Sequence, residues 1–259
     1  MFLPAACRML PASGALIVTG GGRGIGAAIC RAAARDGWPV VVNYGKSREA
    51  AERVAADIAA SGGTAVAIGA DVADETAVVA MFDEADALFG RVAGVVNNAG
   101  ITGGFSHAGD IEIDRVRRML DVNVVGTMLC CREAVRRMST ARGGTGGVIV
   151  NISSLVARTG GAHEWVHYAA SKGAINSFTI GLAREVATEG IRVNAVAPGL
   201  VESDLHGDNG DPERPARMAP SIPMQRSGEP EEIAEGVVWL LSPAASYVTG
   251  TILEIGGGR

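Results

Sequence analysis

Tyr168 and Lys172 stand four residues apart in Tyr168-Ala169-Ala170-Ser171-Lys172. On a helix that spacing puts both on one face, a turn apart. A phenol beside an ammonium is a proton donor and acceptor whose strength can be tuned. A free tyrosine titrates near ~10, too high for a base at neutral pH. A fixed positive charge nearby favours the phenolate and lowers that value. Reaching ~7 takes about 3 units, roughly 4 kcal/mol. A close cation and a positively charged bound ring in a dry cleft can supply that much. Such pairs also arise on ordinary amphipathic helices, so the elements around this one must decide its meaning.

The first of those elements is Ala15-Leu16-Ile17-Val18, a short apolar run that predicts a buried strand. The turn Gly20-Gly21-Gly22-Arg23-Gly24-Ile25-Gly26 follows, and then an alanine-rich helix from Ala27. Glycines between a strand and a helix are a phosphate-binding pattern. Gly20 makes the tight turn, Gly24 admits a pyrophosphate to the backbone, and Gly26 lets helix and strand pack closely. The helix N-terminus then presents free N–H groups to the phosphates. A second strand, Pro39 to Tyr44, ends without the carboxylate that would grip the ribose 2′-hydroxyl of NAD. Asn43, Tyr44, Gly45, Lys46 and Ser47 stand there instead, and Arg23 and Lys46 are suited to attract a 2′-phosphate. The expectation is NADP(H) as the preferred cofactor, with NAD(H) the alternative.

Further along, helices are expected over Glu49–Ser61 and Asp74–Phe89, with Asp74 as an N-cap. Strands are expected over Thr64–Gly69 and Ala93–Val96. Asp71, beyond a strand end, is placed to accept from an adenine amino group. Asn97-Asn98-Ala99-Gly100 follows the fourth strand and is small enough to lie against a ribose. A single long helix is expected from Glu112 to Thr140, with Asn123, a poor interior helix residue, near its middle. Asn123 would hold water near Lys172 through its side chain or a local kink. A fifth strand, Val148–Ile152, delivers Ser153 and Ser154 to its carboxyl end, where open α/β sheets bind ligands. The Tyr168 helix runs to about Glu189, and a sixth strand, Ile191–Val196, ends in Pro198-Gly199. The Pro-, Gly- and charge-rich stretch 204–223 suits a lid. A helix at Glu231–Leu241 and a strand at Gly250–Ile255 close the chain.

Composition narrows the class. The chain has 259 residues, 47% of them hydrophobic, with 36 glycines and 4% aromatics, which suits an aliphatic core with tight turns. A net charge of -5 argues against nucleic-acid binding. No apolar run approaches the ~20 residues of a membrane span. Cys7, Cys30, Cys130 and Cys131 form no Cys-x-x-Cys pair and no zinc-like cluster with histidine, so no metal site is expected. Cys130 and Cys131 read as buried small hydrophobes in a reducing cytoplasm. Residues 1–12 read as a loose tail or an over-long start, with Met9 an alternative initiator, and 13–259 as one domain.

Together, Thr19-Gly20-x-x-x-Gly24-Ile25-Gly26, Asn97-Asn98-Ala99-Gly100, Ser154, Tyr168-x-x-x-Lys172 and Pro198-Gly199 resemble the short-chain dehydrogenase/reductase family, from about residue 13 to 258. Within it the chain is similar to bacterial glucose 1-dehydrogenase-like and 3-oxoacyl-carrier-protein reductase-like members. The resemblance implies a single-domain, Rossmann-type α/β fold. Its doubly wound parallel sheet has about seven strands, with helices on both faces. It implies that Gly20, Arg23, Gly24, Ile25 and Gly26 hold the pyrophosphate end of the cofactor. Asp71 and Val72 would flank adenine, and Asn97, Ala99 and Gly100 its ribose. Pro198, Gly199, Val201 and Ser203 would face the nicotinamide. Ser154 would bond the substrate oxygen and Tyr168 would exchange its proton. Lys172 would depress the Tyr168 pKa and bind the nicotinamide ribose, and Asn123 would keep a water in the relay.

His163, Glu164, Trp165, His167, His206 and Met218 are candidate substrate-site residues. The segment Ser154–Tyr168 is one residue longer than in many relatives, and glycine replaces a common aspartate in Glu254-Ile255-Gly256-Gly257. The family's tetramers, built on two long helices and the last strand, imply a homotetramer or dimer. The leading reading is an enzyme moving hydride between NADP and a small secondary alcohol or carbonyl: a sugar, ketone or 3-oxoacyl compound. A non-catalytic NADP-binding sensor or scaffold is the alternative. A nucleotide-sugar epimerase or dehydratase would need a longer substrate domain.

Overall fold

The computed structural model describes residues 14–203, 207 and 210–259. The expected N-terminal tail and His206 lie outside the described residues, as does part of the lid stretch.

Seven parallel strands form one sheet in the order β3-β2-β1-β4-β5-β6-β7. They are β1 Ala15–Val18, β2 Val40–Tyr44, β3 Ala65–Gly69, β4 Val92–Asn97, β5 Gly147–Ile152, β6 Ile191–Pro198 and β7 Ile252–Ile255. Strand order reverses between β1 and β4, which opens a crevice at their carboxyl ends, the usual ligand position in such sheets.

The strands are aliphatic because both faces are covered. Leu16 and Val18 of β1 point to one face, where they pack with residues of helices α1 (Gly24–Arg35), α2 (Arg48–Ala60) and α9 (Pro230–Leu241). Ile17 points to the other, toward α3 (Glu75–Phe89), α5 (Gly126–Met138) and α7 (Val166–Val186). Alternation along one strand thus feeds two cores. Truncating a buried anchor such as Ile17 or Ile149 to alanine would cost about 2–5 kcal/mol.

The long helix expected over Glu112–Thr140 is interrupted. It comprises α4 (Ile113–Leu120), a π-turn at Asp121–Val125, and α5. The Gly126 N–H reaches back to the Asp121 carbonyl, five residues away, and Asn123 sits inside this wider turn. Two shorter helices complete the set described, α6 (Val156–Thr159) and α8 (Arg214–Met218). Cys130 and Cys131 are both buried, and burial pushes the Cys130 thiol up to about 12.

Candidate active site

The glycine turn is shaped by contacts that leave no room for side chains. A Cβ on Gly26 would lie 2.2 Å from the Gly20 carbonyl oxygen, and Gly20 and Gly24 have φ of 62° and 49°. Asn98 bolts the turn to β4, its amide donating to the Thr19 and Gly20 carbonyls at 2.9 and 3.1 Å. The N-terminus of α1 carries no side-chain cap and no acid in its first turn. By contrast, α3 is capped by Asp74, which accepts from the Thr76 and Ala77 N–H groups. The unsatisfied N–H groups of α1 face a cavity of about 840 Å³ lined by Gly22, Arg23, Gly24 and Ile25. An uncapped helix end opening on a cavity favours an anion, and the glycine cradle fits a pyrophosphate.

At the neighbouring strand ends, Tyr44, Gly45, Lys46, Ser47, Asp71 and Val72 all line the same cavity. Two of the expected residues hold other partners. Asn43 borders the cavity, but its amide is engaged inside the protein. It donates to the Ile68 and Ala70 carbonyls at 3.3 and 3.1 Å and accepts from the Gly20 N–H. It therefore braces the glycine turn. Asn97 does not line the cavity. β4 runs one residue further than expected, which sets Asn97 opposite Asn151 in the sheet. Its amide donates to Asn151 Oδ1 at 2.9 Å, and Asn98, Ala99 and Gly100 form the wall. Asp71 is also less free than expected: Oδ1 accepts from the Ala73 N–H and Oδ2 pairs with Arg118 at 2.6 Å. Burial opposes the charge, but these donors outweigh it and hold the carboxyl below its usual range.

β5 and α7 bring Ser154, Tyr168 and Lys172 to the same cavity. Both titratable groups are buried, Tyr168 at 9% exposure and Lys172 at 4%. The Lys172 amine donates to the Ile152 carbonyl at 2.7 Å and stands 5.6 Å from the centre of the Tyr168 ring. Burial pushes the phenol well above its ordinary value and pushes Lys172 down to about 8. Desolvation penalises each charged form, and across a ring-width gap the pair does not compensate.

Asn123 is held on all sides. Its Oδ1 accepts from the Ile101 N–H at 2.9 Å, and its amide donates to the Ile101 carbonyl and to Ser171 Oγ at 2.9 and 3.1 Å. The Ser171 hydroxyl donates to the Tyr168 carbonyl at 2.7 Å. The side chain therefore ties the loop after β4 to the Tyr168 helix, at the local kink that the π-turn makes.

Beyond Ser154 the wall is made of side chains. Trp165 packs edge-on to Tyr168 with centroids 5.9 Å apart, and stacks on Phe105 at 4.8 Å. The Arg214 guanidinium covers the Trp165 ring at 4.5 Å and ion-pairs with Glu164. Glu164, Trp165 and Arg214 line the cavity, as do Pro198, Gly199, Val201 and Ser203. His163, His167 and Met218 do not. The His167 ring lies against Gly103 behind the Phe105 loop. Arg118, Leu155, Leu200, Arg214 and Arg259 also border the cavity. Their sequence neighbourhoods carry no spacing that would have marked them. Among the described residues no cluster of three or more His, Cys, Asp or Glu could hold a metal, and no helix is long and apolar enough to cross a membrane.

A doubly wound parallel sheet with a glycine cradle at its switch point and a Ser-Tyr-Lys group on the next crest defines a dinucleotide-fold oxidoreductase. The family model described as enoyl-(acyl carrier protein) reductase matches residues 20–259. The chain is 48% identical over 243 residues to the uncharacterized oxidoreductase YgfF of Escherichia coli K12, covering 94% of this chain and 98% of that one. It is 37% identical to glucose 1-dehydrogenase 2 of Bacillus subtilis, covering 93% of each. It is 39% identical to the 3-oxoacyl-[acyl-carrier-protein] reductase FabG of Staphylococcus aureus, covering 93% and 96%. A short-chain dehydrogenase of Burkholderia cenocepacia J2315, solved in complex with NADP, superposes with a TM-score of 0.88 at 35% identity, covering 96% and 99%. The chain belongs to the short-chain dehydrogenase/reductase family and is an oxidoreductase of that class.

Proposed function

We propose that this protein transfers hydride between NADP(H) and a secondary alcohol or carbonyl, with Tyr168 as the general acid and base. The observation that carries the reading is the shared cavity. It joins the uncapped α1 N-terminus to Ser154, Tyr168 and Lys172 at the carboxyl ends of the strands. When bound, the dinucleotide supplies or accepts the hydride. Gly20, Gly24, Ile25 and Gly26 hold its pyrophosphate, and Ala99 and Gly100 lie along its ribose. Pro198, Gly199, Val201 and Ser203 lie along the opposite wall.

The Ser154 hydroxyl donates to the substrate oxygen and fixes it within reach of the Tyr168 hydroxyl. A buried, neutral phenol is already in the proton-donating form that carbonyl reduction needs. The Lys172 ammonium stabilises the phenolate left after donation, and a water-poor wall strengthens that attraction. Asn123 is a positioning residue in this scheme, since it fixes the Tyr168 helix through Ser171.

The preference for NADP(H) over NAD(H) rests on Arg23, Lys46 and Ser47 bordering the cavity where β2 ends with no carboxylate. Assembly into a homotetramer or dimer is supported by apolar side chains exposed on the two faces such families use. These are Ile113, Leu120, Val125 and Met128 along α4 and α5, and Trp239 and Tyr247 beside β7. The three described cysteines are free and buried, which suits a reducing cytoplasm.

The test is Tyr168→Phe, assayed for NADPH consumption against sugars, ketones, 3-oxoacyl thioesters and steroids. Losing the acid should lower kcat by about 10²–10⁴-fold while NADPH affinity stays within threefold. Undiminished turnover in the variant would remove Tyr168 from the chemistry. NADPH binding with no turnover of any of these substrates in the parent protein would favour the non-catalytic NADP-binding scaffold.

A further inference from the structure

The cavity is far more positive than the molecule that contains it. The chain carries a net charge of -5, yet Arg23, Lys46, Arg118, Lys172, Arg214 and Arg259 line the cavity against only two acidic side chains, Asp71 and Glu164. Most of that charge is accounted for. Arg118 pairs with Asp71, and Arg214 with Glu164. Arg23 and Lys46 stand at the nucleotide end, and Lys172 serves the tyrosine. Arg259 remains. Its guanidinium has no ion-pair partner among the described residues, and Arg259 lines the same cavity as Leu155, Val156 and Thr159. Those residues follow Ser154 directly, and Arg158 of the same segment bonds the Arg259 carbonyl, which sets residue 259 toward the Ser154 end of the cavity.

Its position is built. After β7 the chain must double back, and the three glycines before Arg259 allow it. A Cβ on Gly256 would lie 2.2 Å from Leu155 Cδ1, and Gly257 and Gly258 have φ of 63° and 89°, where other residues are strained. The Gly257 carbonyl accepts from the Met224 N–H at 3.1 Å, and the Arg259 N–H donates to the Gly256 carbonyl at 3.2 Å. Arg158 on α6 then clamps the turn. It donates to the Arg259 carbonyl at 3.0 Å while pairing with Glu254 at 3.0 Å. The backbone of residue 259 is thereby pinned to α6, whose Val156 and Thr159 line the cavity.

We propose that Arg259 is the receptor for an anionic group on the substrate, so that the physiological substrate is a carbonyl or secondary alcohol bearing a carboxylate or phosphate. This rests on the oxidoreductase reading above. A guanidinium binds such groups through paired, charge-assisted hydrogen bonds. The reach of the Arg259 side chain from its anchored backbone would set the spacing between the anion and the reacting carbon.

The experiment compares matched pairs of substrates with the full-length protein and NADPH. One arm uses keto acids with zero to four methylenes between carbonyl and carboxylate, each against its methyl ester. The other uses dihydroxyacetone phosphate against dihydroxyacetone. The expected result is a preference of tenfold or more in kcat/KM for the anion at one spacing or in the phosphate arm. In Arg259→Gln that preference should collapse, through KM rather than kcat, and Arg259→Lys should restore part of it. Equal use of anion and neutral partner at every spacing overturns the proposal. So does a loss in Arg259→Gln that falls equally on both partners, or that appears in the KM for NADPH. Reduction of the neutral partners, abolished by Tyr168→Phe, reports on the oxidoreductase reading separately. If no carbonyl of either arm is reduced, both fall together.

Discussion

At the nucleotide end of the cavity the wall is backbone: Gly20, Gly24 and Gly26 curl under the first helix, and the amide of Asn98 holds the curl in place. At the substrate end it is side chain. Trp165 is covered on one face by Phe105 and on the other by Arg214, and Arg214 is held by Glu164. The first region offers main-chain donors at the end proposed for the dinucleotide. The second gathers side chains from three separate segments at the end proposed for the substrate. Backbone recognition tolerates almost no change of residue, whereas a side-chain wall can be rebuilt one position at a time.

Two glycines put that contrast to the hardest test. An added Cβ would meet a neighbour at 2.2 Å at both Gly26 and Gly256. At Gly26 the obstacle is a backbone carbonyl oxygen inside the cradle; at Gly256 it is the methyl end of Leu155. A backbone obstacle cannot move without opening the turn, while a leucine methyl can change rotamer. Gly26→Ala should therefore weaken NADPH binding by at least about a hundredfold, roughly 3 kcal/mol, and lower the melting temperature. Gly256→Ala should change NADPH affinity by less than threefold. Fluorescence titration of both variants decides it, and equal losses would erase the distinction between the two ends.

Lys172 sits between the two regions and carries the next largest effect. Its folded pKa is about 8 against an ordinary 10.5, through burial. The unfolded chain therefore binds more protons than the folded one between those values, and stability from this group rises with pH across that window. Below pH 8 that contribution is missing, because a buried ammonium is being tolerated. Lys172→Met should stabilise the protein without dinucleotide at pH 7 by a few kcal/mol, at ~1.36 kcal/mol per unit. The gain should shrink steadily toward pH 10. Urea unfolding at several pH values measures it, and a gain independent of pH would show that Lys172 is not paying for burial as an ammonium.

The same contrast explains what could be read from the chain. All seven strands and their order of appearance follow from short aliphatic runs between glycine and proline signals, because a parallel sheet covered on both faces has no other way to be written. The cradle was equally legible, since glycines between a strand and a helix are a one-dimensional pattern. Errors arose where one residue of register decides which way a side chain points. Ending β4 at Val96 turns Asn97 toward the cavity; ending it at Asn97 turns that side chain to Asn151 and exposes Asn98 instead. Asn43 borders the cavity, but its amide partners, the Ile68 and Ala70 carbonyls, lie on the next strand and just beyond it, which no local pattern in the sequence marks. The π-turn at Asn123 left only a weak trace, a poor helix former within a helical pattern. Of the substrate wall, Glu164 and Trp165 are legible by their place just before Tyr168, whereas Arg214 and Arg259 are not, because they reach the cavity only after the chain has folded.

The smallest predicted effect concerns how that wall closes. Arg214 is almost fully buried and Glu164 about one-third exposed, so solvent screens only part of their attraction. Arg214 also covers the Trp165 ring, and Trp165 touches Tyr168, so the pair ties α8 to Tyr168 through one aromatic contact. Removing either partner leaves the other poorly compensated, which costs more than removing both. A cycle of Arg214→Gln, Glu164→Gln and the double variant should give a coupling energy of about 1–2 kcal/mol in stability. A comparable coupling should appear in the substrate KM, with NADPH affinity unaffected because the nucleotide end is held by its own backbone. Coupling in NADPH binding would mean that the two ends of the cavity are not independent. Coupling near zero would mean that the ring contact, and not the charge pair, holds the wall.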